Sequence, residues 1–411
     1  MVPFKKLTKN ARTCIAVEPL WALFGPLVTY FMPLYQQKLG LNEVQMGVVN
    51  SVGIAAGFLF FSVATPITNR LGRRKTSIVF DLIAWGISMI LWAFSRSYIW
   101  FLAAAITNAA VRVVNVSWNL MLSEDATNEQ RPTIYAWIYL AGTFGGITTF
   151  CGGMLIDRFG VVSTMRVIFL LGAVVMITMF VLRYLGTEET KIGRILMEKS
   201  KDEKFTTAVA KQIPQVIEAL KDPFFLRMAG IFIIANAVLS IDFFRVLYLS
   251  EEKMFSPFMT ALVPALGSIA STLLFLFILP KEEGRENHSH LAYSFLLCMI
   301  FQLAFVFIPK GSILGVVLTV PWLQAAYFLM QTFRDSVFMN VTDPDKRGER
   351  FSLVQALMLL ISIPMGWFAG YLYTLSPHFP FVFASILYGI AFLLARSLGK
   401  YENLQTNKAV A

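Results

Sequence analysis

One apolar stretch, residues 98–122, carries polar side chains that could do chemistry inside a membrane. Asn108, Arg112, Asn115 and Asn119 recur at spacings of four, three and four residues, so on a helix they form one polar stripe. A charge at the bilayer centre costs roughly 2.5–3.5 kcal/mol, so we expect the stripe to face protein, water or a bound solute. Two interpretations stay open: Arg112 binds a solute, or it pairs with a carboxylate of another helix.

Carboxylates inside other apolar stretches are candidates for carrying protons. Glu18 lies inside the first stretch without a charged residue close to it in sequence, whereas Asp242 and Asp335 each have an arginine within three positions. A buried carboxyl without a partner favours its protonated form, which suits a group that binds and releases protons. We predict proton-coupling roles for all three. Glu18 could instead pair with Arg112, and Asp242 could be neutralised by the arginine beside it.

The composition is that of a membrane protein. Hydrophobic residues make up 56% of the 411 positions and charged residues 15%, whereas soluble domains are about 45–50% apolar and about 25% charged. The net charge is +10, and the charged residues flank the apolar stretches. They are not interleaved with aromatic residues as on a nucleic-acid surface, so no nucleic-acid partner is expected. The three cysteines are far apart and show no disulfide framework or metal spacing. We predict no cofactor and no metal.

Twelve apolar stretches are long enough to cross a bilayer, in two groups of six. They lie near 14–37, 44–67, 77–95, 98–122, 133–156, 164–186, 224–249, 258–280, 290–308, 311–336, 351–375 and 379–398. Placing both termini in the cytoplasm assigns 26 of the 35 Lys and Arg residues to that side and 6 to the other. We therefore predict an all-α, multi-pass protein of the cell membrane, in a bacterium the cytoplasmic membrane. Its predicted parts are two six-helix bundles, 1–186 and 223–411, and a cytoplasmic linker, 187–222. The linker either forms an amphipathic helix around Ile213–Leu220 or is a plain solvated segment.

The two halves resemble copies of one another. Polar positions of the fourth stretch recur in the tenth at a constant offset, and the deep charges fall in the first, fourth, seventh and tenth stretches, the first of each successive triplet. Repeat-built transporters place their site among such helices. With aromatic residues that suit a partly apolar solute, the predicted solute-binding residues are Arg112, Asn108, Asn115, Asn119, Gln324, Gln331, Trp21 and Phe328. Gly25-Pro26 and Pro321 are expected to kink the first and tenth stretches.

The run from Thr65 to Lys75 resembles the signature loop of the major facilitator superfamily, Gly-x-x-x-Asp-Arg/Lys-x-Gly-Arg/Lys-Arg/Lys. Thr65 stands in place of the glycine and Asn69 in place of the aspartate. The resemblance implies twelve helices, alternating access, and a central site lined by the first helix of each triplet. It also implies a gating role for the loop, whose predicted gating residues are Asn69, Arg70, Gly72, Arg73 and Arg74.

These features favour a secondary active transporter that moves a small organic solute by alternating access, coupled to protons. Arg112 resembles the mid-helix arginine of the family's proton-driven antiporters and favours efflux of an amphipathic or anionic compound. Thr148-Thr149 stand where that group has Gly-Pro, so proton-coupled uptake of a sugar, peptide or organic anion stays an alternative. A non-transporting receptor or scaffold is another. No nucleotide-binding loop or hydrolase motif occurs, so we predict no enzyme. We expect a monomer whose partners are the solute, protons and the lipid bilayer.

Overall fold

The protein is helical throughout the residues that the structure describes. The structure, a computed structural model, describes residues 3–127, 129–200, 218–277, 288–342 and 347–399, and no β-strand occurs among them. Twelve of these helices are long and apolar enough to cross a membrane, which confirms the predicted number. As spans 1 to 12 they are Lys9–Lys38, Glu43–Leu71, Arg73–Ala93, Tyr98–Ser123, Thr133–Phe159, Val161–Gly186, Pro223–Asp242, Pro257–Leu274, His288–Val306, Ile313–Phe338, Arg350–Leu375 and Phe379–Arg396. The cytoplasmic location of the termini stays a prediction.

Several helices extend beyond the apolar stretches from which they were predicted. Span 1 begins at Lys9, and the helix that contains span 10 continues to Val341. Hydropathy marks only the residues that meet hydrocarbon, whereas backbone hydrogen bonds continue through polar residues at the membrane surface. A further short helix, Lys191–Lys199, follows span 6, and its N-cap is Thr190, whose hydroxyl accepts a 2.9 Å hydrogen bond from the Gly193 amide.

Spans 1 and 4 are each interrupted along their length, and a break directly follows span 7. Span 1 consists of Lys9–Ala22 and Gly25–Lys38, because Pro26 has no N–H to donate to the preceding turn and fits the start of a new helix. This agrees with the kink expected at Gly25-Pro26. The helix Ile313–Val341, by contrast, runs through Pro321 without interruption. Span 4 consists of Tyr98–Asn108 and Val111–Ser123, and span 7 is followed by the short helix Arg245–Leu247.

The chain divides into two compact units. Unit 1 comprises Met1–Asn42 and Val52–Gln212, and unit 2 comprises Glu43–Ser51 and Ile213–Ala411. The boundaries 1–186, 187–222 and 223–411 stay a prediction. Most of the amphipathic helix expected around 213–220 lies outside the described residues.

In unit 1, the second half of span 1 is held by close packing and a buried hydrogen bond. A Cβ at Gly145 of span 5 would overlap the ring of Pro26, so only glycine allows this approach. The fully buried Tyr35 donates a 2.8 Å hydrogen bond to the Trp92 carbonyl, and its ring packs edge-on against Phe169 at 5.1 Å. Spans 3, 5 and 6 therefore all position Gly25–Lys38.

In unit 2, Asp222 fixes the start of span 7. Its carboxylate accepts a 2.9 Å hydrogen bond from the Phe224 amide, as an N-cap does, and forms an ion pair with Arg350 of the helix Arg347–Leu375. One aromatic contact lies further along, where Phe232 packs edge-on against Phe338 at 5.7 Å. Capping and aromatic packing together hold spans 7, 10 and 11 in this unit.

Lys253 connects the end of the span 7 region to the end of span 9. Its side chain is buried, with the residue only 4% exposed, and Nζ donates to the carbonyls of Val306 at 2.9 Å and Ile308 at 2.6 Å. Burial lowers the pKa of this ammonium group from its usual value. Two carbonyl acceptors compensate in part for burying the charge.

Replacing Lys253 with methionine should lower the melting temperature of the protein in detergent by several degrees. The change removes two charge-assisted hydrogen bonds, each worth about 1.5–3 kcal/mol, and the Val306 carbonyl then keeps only the Tyr248 hydroxyl as a side-chain donor. Differential scanning fluorimetry measures the effect. The control is Lys310→Met, because Lys310 is exposed and its 3.2 Å pair with Glu252 should contribute at most about 1 kcal/mol. Equal melting temperatures for the two variants would contradict the assignment.

Candidate functional site

The polar stripe of span 4 lies at the interruption of its helix. The first segment ends at Asn108 and the second begins at Val111, with two buried alanines between them. The Arg112 amide bonds to the Ala109 carbonyl at 3.1 Å, three residues back rather than four. Such tight turns keep the backbone polar groups paired, which an interruption inside a membrane requires. Arg112 therefore projects from the first turn of the second segment.

The Arg112 side chain is half-buried and passes a glycine of span 2. A Cβ at Gly57 would lie 3.5 Å from both Cγ and Nε of Arg112, so the small residue leaves room for the side chain. The guanidinium makes no ion pair and no hydrogen bond with the residues that the structure describes, and Glu18 is among those residues. Of the two interpretations left open above, pairing with Glu18 is not the arrangement in this structure.

Three asparagines complete the stripe, and only the first is tied to another helix. The Asn108 amide donates a 2.8 Å hydrogen bond to the Ala84 carbonyl of span 3. Asn119 donates to the Asn115 carbonyl at 2.7 Å, and both of these asparagines are exposed. The stripe thus has one end fixed against span 3 and one exposed end.

Trp21 is held at the same turn of span 3 as Asn108. Its ring packs edge-on against Trp85 at a centroid distance of 5.9 Å, and Trp85 follows Ala84 directly in sequence. The segment Leu82–Ile87 is a π-helical turn, a local widening of the helix that often occurs at functional sites. Spans 1 and 4 therefore meet at this turn, with an indole from one and an amide from the other.

Glu18 interacts with a different arginine from the one considered in the sequence. The half-buried Glu18 interacts electrostatically with Arg183 of span 6. Arg183 also forms an ion pair with Asp81 of span 3, and both partners of that pair are buried. Neither is solvated, because each neutralises the other inside unit 1.

The two predicted proton-coupling residues of unit 2, Asp242 and Asp335, each pair with an arginine within three residues of them in the sequence. Arg245 donates to Asp242 at 2.5 Å across the break between span 7 and the short helix Arg245–Leu247, and Arg245 is buried. Arg334 donates to Asp335 at 2.8 Å and stacks over the Phe232 ring at 4.2 Å. The side chain of Asp335 is 47% exposed. Asp242 and its arginine thus neutralise one another, and the coupling roles of both carboxylates stay predictions.

The remaining predicted solute-binding residues of unit 2 are Gln324, Gln331 and Phe328. All three are half-buried in the helix Ile313–Val341. The Gln324 side chain lies against span 8, where a Cβ at Gly267 would come within 2.7 Å of its Cγ. Their solute-binding roles stay predictions.

A buried arginine, Arg73, ties the loop between spans 2 and 3 to Glu124, directly after span 4. Arg73 is 1% exposed and donates to the Glu124 carboxylate through Nε at 3.0 Å and Nη2 at 2.7 Å, a two-pronged contact. Its Nη1 also donates to Asn69 Oδ1 at 3.1 Å. The amide at position 69 therefore takes up a hydrogen bond inside the loop. Arg70 is exposed.

The carboxylate of Glu189, in the linker, caps the start of span 3, which follows this loop. Gly72 has φ +85°, a conformation that favours glycine, and stands directly before the first residue of span 3. The Arg73 and Arg74 amides donate to the two oxygens of Glu189 at 2.9 and 3.1 Å. Thr190 donates to the Glu124 carboxylate. We call Asn69, Arg73, Glu124, Glu189 and Thr190 the loop cluster.

Sequence reasoning found the loop but not its partners. Glu124, Glu189 and Thr190 lie at helix ends, where acidic and hydroxyl residues are common and carry no distinctive pattern. Asp81, inside span 3, and Arg183, near the end of span 6, carry no distinctive pattern either. Their proximity depends on which helices are neighbours, and periodicity within one helix does not report that.

Twelve membrane-spanning helices with polar groups inside the spans define a multi-pass membrane protein of the transporter class. The sequence profile of the Major Facilitator Superfamily matches residues 20–333, so the chain belongs to this family. No protein with a curated description matches the sequence significantly.

Two solved transporters share the fold. A point mutant of the nucleoside transporter NupG aligns with a TM-score of 0.73 and 12% identity, over 96% of this chain and 100% of that chain. The human organic anion transporter MFSD10 (TETRAN) aligns with a TM-score of 0.61 and 16% identity, over 94% of this chain and 99% of that chain. At these identities the likeness concerns the fold alone. Proton coupling and alternating access are typical of the family.

Proposed function

We propose that the protein is a secondary active transporter that moves a small organic solute with an anionic group across the cytoplasmic membrane. Transport proceeds by alternating access and is coupled to protons. The observation that carries the proposal is Arg112, a half-buried arginine inside a span whose guanidinium has no partner among the described residues. An arginine in this position is costly unless something compensates its charge, and an anionic group does so.

The surroundings of Arg112 favour a solute that is anionic at one end and apolar elsewhere. Asn108, one helical turn away, uses its amide N–H on Ala84, and its oxygen accepts no hydrogen bond from the described residues. Trp21 adds an indole ring, which packs against the buried Trp85 in the same turn of span 3. A guanidinium, an amide oxygen and an indole ring together suit an amphipathic anion.

Efflux of such a compound is the direction we favour, and uptake is the alternative. The name of the human relative, an organic anion transporter, is compatible with an anionic solute. The name of the nucleoside transporter shows that the same fold also carries uncharged polar solutes. Because both likenesses concern the fold alone, Arg112 and not the relatives supports the anionic class.

The experiment is flux into proteoliposomes that contain the purified full-length protein and an imposed pH difference. A thermal-shift screen of organic anions, including amphipathic carboxylates, first selects the probe compound. Movement of the probe against its gradient, opposite to proton flow, supports proton-coupled efflux. Movement in the same direction as protons supports the symporter instead. Thermal stabilisation by the probe without any flux would overturn transport in favour of a receptor.

A further inference from the structure

The N-terminal segment, residues 3–8, folds against the start of span 5. Its 3₁₀-helix, Phe4–Lys6, is held at both ends. The Lys6 carbonyl accepts a 2.9 Å hydrogen bond from the side-chain amide of Gln130, which lies before span 5 begins. The Phe4 ring packs edge-on against Trp137, inside span 5, at a centroid distance of 5.9 Å. The segment therefore follows the beginning of span 5 instead of extending away from the protein.

An apolar anchor and a helix cap fix the other end of the N-terminal segment. Leu7 is 3% exposed and belongs to a buried cluster with Met121 of span 4 and Ile134 of span 5. Thr8 is the N-cap of the helix Lys9–Ala22, and its hydroxyl accepts a 3.3 Å hydrogen bond from the Ala11 amide. The place of the segment is therefore fixed relative to spans 1, 4 and 5.

This packing creates an exposed aromatic surface at the depth of the lipid headgroups. Trp137 lies four residues after Thr133, the first residue of span 5, which is about 6 Å at about 1.5 Å per residue. The side chains stay partly open: Phe4 is 37% exposed, Trp137 is 39% exposed and Tyr135 is 43% exposed. Aromatic residues at this depth are typical of the boundary between headgroups and acyl chains. The Phe4–Trp137 pair therefore meets lipid.

Positive charge without a partner lies directly beside these rings. Lys5 and Lys6 follow Phe4 in sequence, both are exposed, and their ammonium groups make no ion pair and no hydrogen bond with the residues that the structure describes. The acidic residues nearby leave an excess of positive charge, because Glu188 is taken by Lys9 and the exposed Glu129 offsets only one lysine. The surface is therefore basic on one side and aromatic on the other.

An anionic phospholipid matches both parts of this surface. Its phosphate carries negative charge at the membrane surface, and its acyl chains begin directly below. A free phosphate ion would use the ammonium groups alone and leave the rings uncovered. A water-soluble protein partner would have to enter the lipid to cover the ring of Trp137. Charge complementarity and the depth of the rings together favour the lipid.

We propose that the N-terminal segment and the start of span 5 form a binding site for an anionic phospholipid. Lys5 and Lys6 hold the phosphate, and the rings of Phe4 and Trp137 pack against the upper part of the acyl chains. Because the segment leads into the cap at Thr8, the bound lipid also holds the start of span 1 against span 5. The inference does not rest on the proposed transport function.

The test is photo-cross-linking of the full-length protein in phosphatidylcholine nanodiscs. The probe is a small fraction of phosphatidylglycerol with a photoactivatable group near the start of an acyl chain, and mass spectrometry of peptides locates the cross-links. We expect cross-links at Phe4 and Trp137. Unlabelled phosphatidylglycerol should compete with the probe, whereas added phosphatidylcholine or inorganic phosphate should not.

Variants measure how much each part of the site contributes. Lys5→Gln/Lys6→Gln should weaken competition by phosphatidylglycerol about 10- to 30-fold, the effect of two surface charges. Phe4→Ala keeps both charges but loses the ring contact, so it should weaken competition about 2- to 10-fold, whereas Phe4→Tyr should not. The control is Lys38→Gln, because Lys38 is an exposed lysine in the last turn at the opposite end of span 1.

Three results would overturn the site. Cross-links that avoid residues 3–8 would leave this surface to a protein partner. Cross-links that inorganic phosphate removes would show a site for the free ion. Competition that is equal in the wild type and in Lys5→Gln/Lys6→Gln would show that the lysines do not hold the lipid. Because no solute is present in the experiment, its result is independent of whether the protein transports one.

Discussion

Replacing Arg112 with alanine is expected to weaken binding of an anionic solute by about 10- to 150-fold, because a charge-assisted hydrogen bond contributes about 1.5–3 kcal/mol. The melting temperature of the protein without solute should stay unchanged or rise. The reason is that the guanidinium has no described partner to lose, and its removal relieves a charge held inside a span. Binding is measured by the thermal shift that the solute produces, and stability by the same scan without it.

Two further variants sharpen this test. Arg112→Lys keeps the charge but loses the planar fork, so its affinity should lie between those of the wild type and the alanine variant. Arg158→Ala removes an exposed arginine at the end of span 5 and should leave both binding and stability unchanged. A fall of several degrees in Arg112→Ala without solute would show that the arginine holds helices together, against the role proposed for it.

Replacing Arg73 with methionine should lower the free energy of unfolding by about 3–5 kcal/mol, the effect of leaving one partner of a buried ion pair alone. The side chain is almost fully buried, and its loss would leave the Glu124 carboxylate without its two-pronged donor. The melting temperature in detergent reports the change. The matched control is Arg70→Met in the same loop, because Arg70 is exposed and should contribute little.

A double variant separates the ion pair from simple packing. In Arg73→Met/Glu124→Leu both charges are gone, so the loss should be smaller than in Arg73→Met alone. If the double variant were less stable by the sum of the two single losses, the two side chains would not be coupled. The loop cluster would then owe its stability to the other contacts, including the Glu189 cap.

The sequence predicted the spans well because lipid imposes a simple requirement on about twenty successive residues at a time. The interruption at Gly25-Pro26 was also foreseeable, since proline removes a backbone donor. The interruption at Ala109–Ala110 was not, because alanine favours helix and no breaking residue marks the position. Here the tertiary environment overrides the local preference.

The candidate site was predictable only within single helices. The period of span 4 places Asn108 and Arg112 on one stripe, and both lie at its interruption. The proximity of Glu18 to Arg183 was not predictable in the same way, because Arg183 is distant in sequence and lies at the end of the sixth apolar stretch. Which side chains pair across helices depends on how the helices are arranged. The hydrophobic period of a single sequence does not show that arrangement.

The attachment of the linker has a practical consequence for engineering. Its first residues are bound to unit 1 through Glu188, Glu189 and Thr190, and Ser200 donates a 3.1 Å hydrogen bond to the Asn69 carbonyl. A polypeptide that stops directly after Ser200 would carry every partner of the loop cluster with it. A protease site or a fluorescent protein placed after Ser200 would therefore leave those contacts whole, and the two portions of the gene could be expressed as separate chains from that point.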